Sequence, residues 1–306
     1  MSPLLNNLAK IGLSVLFVVS IFAVTNFFNP SDGTYYESRG DYKGAIDDIS
    51  QALLEDRHKK KGYLYINRAR NKRYLGDFSG AQKDLDKAKE IWQENRKVPI
   101  DGQQSFFTRN LFVEQCRLHI RLGKWDEALQ DCKSALLDGD NSLIHSQLGA
   151  IHEAKNQLDA AETEHSKAVE LASEEFSSNY GINFYASALL ARAEFYKRQN
   201  RLESAFKDYD EAAEHASPCS DAFYGRGCMY LDKKDAQNAL KDLDSAIKLS
   251  SRERDDYFAM RGLAYMDLKE YQKALLDFDK ALSSNADNKE AAHGKTKCLE
   301  LLKQTN

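Results

Sequence analysis

Proline is scarce in this chain and glycine is not abundant, at 4 and 16 of 306 residues. An all-β protein of this length would need more turn punctuation, so the shortage points to helix. Cysteine is scarce as well: five thiols cannot build a disulfide framework here, and the odd number leaves at least one unpaired. No charge of one sign dominates, because 43 Lys and Arg stand against 47 Asp and Glu for a net charge of −4. A nucleic-acid binder would carry a basic excess on some face, so no nucleic-acid partner is expected. With 42% hydrophobic and 29% charged residues, the chain is neither a disordered acidic tail nor a low-complexity segment. Catalytic signatures are missing too: there is no phosphate-binding P-loop, dinucleotide fingerprint, H-E-x-x-H or G-x-S-x-G. Neither an enzyme nor a cofactor is expected.

What is present begins with residues 1–30, which read as a tail and a membrane anchor. From Ile11 to Phe28 the sequence IGLSVLFVVSIFAVTNFF carries no charge and is apolar on every face. A helix of that length rises roughly 27 Å, close to the hydrocarbon thickness of a bilayer. Asn29-Pro30 then ends it. The run is read as one N-terminal transmembrane helix of a single-pass protein in a bacterial inner membrane. The alternative is a signal peptide, since Lys10 precedes the run, whose cleavage would release a secreted or periplasmic binding protein. Ile21-Phe22-Ala23 fits the cleavage pattern only loosely. Lys10 and the α-amino group before the run nearly balance Arg39 and Lys43 after it, with a lean to the N-terminus inside and the rest on the periplasmic side. Unpaired thiols lean the other way, toward a reducing compartment.

The remainder repeats itself. DDYFAMRGLAYMDLKEYQKALLDFDKAL (255–282) aligns with SDAFYGRGCMYLDKKDAQNALKDLDSAI (220–247). A small residue recurs at Gly33, Ala69, Cys116, Gly149, Ala193, Gly227 and Gly262. Twelve residues later stands an alanine each time: Ala45, Ala81, Ala128, Ala161, Ala205, Ala239 and Ala274. A second alanine column holds Ala52, Ala88, Ala135, Ala168, Ala212, Ala246 and Ala281. Small side chains at three fixed points let two antiparallel helices approach closely, while larger residues such as Tyr230, Tyr265, Leu243 and Phe278 fill the space between units.

This ladder resembles the tetratricopeptide repeat (TPR), a helix–turn–helix unit of 34 residues with small side chains at its positions 8, 20 and 27. The resemblance covers residues 31–288. It implies an all-α TPR solenoid of about seven repeats, with 289–306 as a C-terminal capping helix in which Leu299 and Leu302 cover the last repeat. Successive position-8 residues lie 36, 47, 33, 44, 34 and 35 apart. The two long intervals place insertions at 93–108 and 173–185, expected as lengthened helices with a loop between them. The first repeat is truncated, with a short first helix. Position 7 is arginine in four repeats (Arg68, Arg192, Arg226, Arg261), each with an aspartate at position 23 (Asp84, Asp208, Asp242, Asp277). These are expected as ion pairs within a repeat or to its neighbour, a scaffold role.

The resemblance also implies a function: a membrane-tethered scaffold that holds a partner protein or peptide in its concave groove, in envelope protein assembly or chaperone-like quality control. Two relatives in architecture bear on this. One membrane-anchored bacterial TPR family ends in paired Cys-x-x-Cys, absent here; small inner-membrane TPR proteins of the secretion machinery share the single N-terminal span. The chaperone-binding clamp needs Lys and Asn where this chain has Ile66, Arg70 and Glu114, so that mode is not expected. Groove positions near the anchor are Tyr63, Arg70, Arg73, Tyr74, Arg117 and Arg121. At the far end they are Tyr224, Leu231, Leu263 and Met266, with Asp256 and Asp267 at the margins. A partner segment acidic at one end and apolar at the other fits this change. The alternative is that the arginines pair with nearby acids. A further cluster, Cys116, His119, Cys132 and His152, with His145 and His165 close in sequence, reads as core histidine and small apolar cysteine, so no metal is expected; the alternative is zinc, which soft and borderline donors would suit.

Overall fold

The computed structural model describes residues 34–37, 39–54, 61–95, 102–176, 182–215, 219–250 and 253–305. Among them every regular element is an α-helix. In chain order these are α1 (Thr34–Glu37), α2 (Tyr42–Leu54), α3 (Lys61–Tyr74), α4 (Phe78–Asn95), α5 (Gly102–Arg121), α6 (Trp125–Leu136), α7 (Ser142–Ala154) and α8 (Leu158–Phe176). There follow α9 (Ile182–Arg198), α10 (Leu202–His215), α11 (Ser220–Asp232), α12 (Ala236–Leu249), α13 (Asp255–Asp267), α14 (Tyr271–Ser284) and α15 (Lys289–Thr305). The chain divides into two compact units, Met1–Gly139 and Asp140–Asn306. The proposed span Ile11–Phe28 lies outside the described residues. Among the described residues no helix is long and apolar enough to cross a membrane.

Consecutive helices pair as the repeat requires: α3 with α4 and α5 with α6 in the first unit, and α7 with α8, α9 with α10, α11 with α12 and α13 with α14 in the second. All fourteen alanines of the two columns are buried, none more than 3% exposed. The position-8 residue sits on the side chain sixteen residues later. A Cβ added to Gly262 would lie 2.7 Å from the Phe278 ring, and one added to Gly149 would lie 2.7 Å from the His165 ring. Only a small residue fits there, because the facing side chain fills the gap between the two helix backbones.

Between first and second helix, all seven turns share one backbone solution. Gly40, Gly76, Gly123, Asn156, Asn200, Lys234 and Lys269 adopt positive φ, between 57° and 80°. The next residue's N–H returns to a carbonyl five residues back, as in Asp77 N–H to Lys72 O at 2.9 Å and Glu270 N–H to Tyr265 O at 2.8 Å. This is a left-handed helix stop that satisfies the orphan carbonyls of the last turn. Asp41, Asp77 and Asp235 then cap the second helix, accepting from Gly44, Gly80 and Asn238 N–H.

The insertions are lengthened helices: α4 and α5 run to 18 and 20 residues, α8 and α9 to 19 and 17. The first helix of the first repeat is short, with four residues in α1. The capping helix differs from expectation. Its covering face is Ala291, Gly294 and Cys298, with Cys298 in one core cluster with Phe278 and Ala281. Of the two leucines expected to cover the last repeat, Leu299 is 42% exposed and does not, while Leu302 is half-buried. Small residues lie against Phe278 because its ring already occupies the space a leucine would need.

Candidate functional site

The four position-7 arginines each take both oxygens of the aspartate sixteen residues later. The contacts are 2.9 and 2.6 Å for Arg68–Asp84, 2.8 Å twice for Arg192–Asp208, 2.7 and 2.9 Å for Arg226–Asp242, and 2.7 Å twice for Arg261–Asp277. Both expected pairings occur together, because Arg226 also reaches Asp210 at 2.5 Å and Arg261 reaches Asp244 at 2.7 Å in the preceding repeat. The forks tie the two helices of a pair together, and at Arg226 and Arg261 a further bond ties the pair to the one before it.

The third and fourth repeats, which lack that arginine, use histidine against the same acidic position. His119 Nδ1 lies 2.6 Å from Asp131, and His145 Nδ1 lies 2.6 Å from Glu164. The Glu164 bond raises the His145 pKa above its usual value. His165 is the opposite case. It is 2% exposed, neither ring nitrogen has a partner, and its ring lies 5.3 Å from that of Phe195. Burial pushes its pKa down to about 4.

The zinc alternative finds no support in the geometry. Cys116 and Cys132 are joined in a disulfide with Cα atoms 5.7 Å apart, which removes both thiolates. They occupy positions 8 and 24, the closest contact between paired helices, so two cysteines there meet each other. His119 is engaged by Asp131, and His152 Nδ1 lies 2.7 Å from Gln157 Oε1. Among the described residues no group of three or more His, Cys, Asp or Glu side chains could hold a metal ion. Cys219, Cys228 and Cys298 are free thiols.

In the first unit the arginines of the first-helix face converge. Arg70 and Arg73 on α3 and Arg117 on α5 all reach Glu114 on α5: Arg70 Nε at 3.0 Å, Arg73 Nη2 at 3.2 Å and Arg117 Nη1 at 2.6 Å. Glu114 is 2% exposed. Burial alone would push its carboxyl up, but Arg117, Arg70 and Arg73 more than offset this and hold it below the usual range. Glu37 of α1 lies 3.8 Å from Arg70 Nη1 and accepts from Asn71. Tyr74 lies 4.6 Å below the Arg73 guanidinium and stacks on Tyr42 at 4.7 Å. Tyr63 packs edge-on to Phe107, and Arg121 is exposed at the end of α5. The hub, Glu114, entered the sequence reading only as a residue that breaks the chaperone-binding clamp, not as the partner of these arginines.

In the second unit Tyr224 stacks on Tyr257 at 4.7 Å. Leu231 packs with Met260 against Leu243 and Ala264, while Leu263 and Met266 pack against the cluster around Phe278. These four are half-buried, so each offers part of its apolar surface to solvent. Asp256 is held by Arg254 at 2.8 Å, and Asp267 lies 4.0 Å from Lys234.

Family models for the tetratricopeptide repeat match residues 190–257 and 255–288. No curated protein matches the chain in sequence. A tetratricopeptide repeat protein from Parabacteroides merdae superposes with a TM-score of 0.54 at 16% identity, over 87% of this chain and 96% of its own. The apo form of the quorum sensor NprR from B. thuringiensis gives 0.56 at 14% identity over 87% and 77%. Pseudomonas aeruginosa pilF gives 0.55 at 17% identity over 65% and 86%. At such identities the likeness is one of fold. Residues 190–288 carry tetratricopeptide repeats, and the described chain shares an all-α repeat fold with these structures.

Proposed function

We propose that this array of tetratricopeptide repeats holds a partner protein on its first-helix faces, taking an acidic segment on the first unit and bulky apolar side chains on the second. One observation carries the reading. The recurrent columns are spent on packing, and what remains on the first helices is three arginines sharing one acid in the first unit and a half-buried Tyr224, Leu231, Leu263 and Met266 set in the second. Partly exposed apolar side chains and under-neutralised cations both gain by a partner's arrival. The chain acts as a binding scaffold in this reading, without catalysis.

The run Ile11–Phe28 supplies the tether, and the envelope is the proposed place of action. The Cys116–Cys132 disulfide supports a position on the oxidising side of the membrane, since such bonds are rare in the cytosol. Partner capture by proximity labelling in the native membrane tests the assignment. With the partner in hand, R70E/R117E should slow association and weaken its salt dependence, while L231A/L263A should mainly speed dissociation, each by roughly tenfold. Unchanged kinetics in both would place the ligand on the second helices or the insertions.

A further inference from the structure

We propose that Arg70, Arg73 and Arg117 form a receptor for a phosphate monoester carried on a partner polypeptide, with Glu114 as the fixed post that aligns them. This rests on the reading that the first-helix face of the first unit holds the partner, and it adds the chemistry recognised there.

Arginine has two uses in this molecule, and they differ in charge balance. At the scaffold positions each guanidinium is matched by one aspartate through two parallel bonds, and Arg226 and Arg261 meet a second acid as well. Around Glu114 three guanidiniums share one carboxylate and give it a single bond each. Three cations against Glu114 leave an excess of two positive charges, and Glu37 beside Arg70 reduces it to one. A guanidinium carries five N–H donors, so most donors of this cluster meet no acceptor among the described residues. Arg73 Nε is buried with no partner at all. A buried charged donor such as Arg73 Nε is seldom left unpaired when its role is only to pack, and the remaining donors of Arg70 and Arg117 are open to solvent.

The geometry also decides which side a ligand would meet. Glu114 is sealed beneath the cluster, whereas the Arg70 and Arg117 side chains are each 27% exposed. An approaching group meets these cations and not Glu114, with Glu37, 20% exposed beside Arg70, the one acid at the rim among the described contacts. Glu114 already takes the inner donors, and the outer ones arrive from two helices, α3 and α5. A planar carboxylate offers two oxygens in one plane, whereas a phosphate monoester offers three at tetrahedral angles and carries a charge of about −1.5 to −2 at neutral pH. Both its charge and its shape match what the cluster leaves unmet. The Tyr74–Tyr42 stack beneath Arg73 holds that side chain in place before any ligand binds.

The test uses the full chain in a neutral detergent and two pools of short fluorescent peptides, degenerate except at the centre. One pool has phosphoserine there and the other serine. By anisotropy the phosphoserine pool should bind about tenfold tighter. Inorganic phosphate should compete for it where chloride at equal ionic strength does not. R70Q/R117Q should bring its affinity down to that of the serine pool, while R198Q/R201Q, exposed arginines of the second unit, should leave the preference intact. Should R70Q/R117Q melt early, Arg117→Lys keeps the charge, loses the fork and should cost several-fold of the preference. Equal binding of the two pools, or of neither, overturns the phosphate assignment. If that equal binding is weakened by R70Q/R117Q, the first-helix reading survives without it. A phosphate preference untouched in R70Q/R117Q and Arg117→Lys overturns the site itself.

Discussion

A single methylene matters where two helices touch through alanine. Ala274 is fully buried against α13, so Ala274→Leu should overpack the contact and cost about 1–3 kcal/mol, read as a lower denaturant midpoint. An unchanged midpoint would mean the repeat register is misplaced. His165 makes a second residue-scale case. Ile49, Leu85, Tyr209, Leu243 and Phe278 fill the corresponding place in other repeats, and histidine there leaves two ring nitrogens unpaired. Its folded pKa of about 4 lies below the ordinary 6.5, so the unfolded chain binds the proton first as pH falls. The stability it permits is present above pH 6.5 and is lost toward pH 4, a loss on the order of 3 kcal/mol. His145 acts in the opposite sense: raised by Glu164, its contribution is complete below its unfolded pKa and fades as pH rises through the folded value. Denaturant midpoints taken at neutral and mildly acid pH should fall steeply in the parent and far less in His165→Leu. The alanine columns were legible in sequence because only small side chains serve a close helix contact. The disulfide was not foreseen: Cys116 and Cys132 read as small apolar core residues, with zinc only as an alternative, because a sequence shows two cysteines near each other without showing whether they are joined.

At the scale of the helix pair, the common device is the left-handed stop between first and second helix. Glycine occupies it in three repeats, at Gly40, Gly76 and Gly123, where the residue itself favours positive φ. Asn156 and Asn200 signal it more weakly, since asparagine tolerates the left-handed region, whereas Lys234 and Lys269 hide it, nothing in a lysine's chemistry asking for φ near 60°. The geometry is imposed by the antiparallel return of the second helix. A Cβ in that conformation costs about 1–2 kcal/mol, so Lys269→Gly should be more stable than Lys269→Ala by roughly 1 kcal/mol. Equal thermal midpoints for the two variants would show that the turn relaxes to another conformation. Pairing across repeats was the less legible part. Arg70 and Glu114 are 44 residues apart, with a lengthened helix and an insertion between them, so no fixed spacing joins them.

Across the whole molecule, stability in a repeat array is close to a sum of units and their nearest-neighbour contacts. The third repeat stands apart in that sum because its two helices are covalently joined. Closing a loop of sixteen residues is worth about 3 kcal/mol in the chain-entropy account. The same bond makes a ring of the segment from Cys116 to Cys132, and the exposed residues Arg121 and Lys124 lie inside it. A protease that cuts after either one opens the backbone without parting the chain. The nicked protein should therefore run as one species on a denaturing gel and fall into two only when a reductant is added. Two fragments in the absence of reductant would mean the sulfurs are not joined. Severed at its most accessible turn, the third repeat would keep both of its helices attached and could go on holding Arg117 in place.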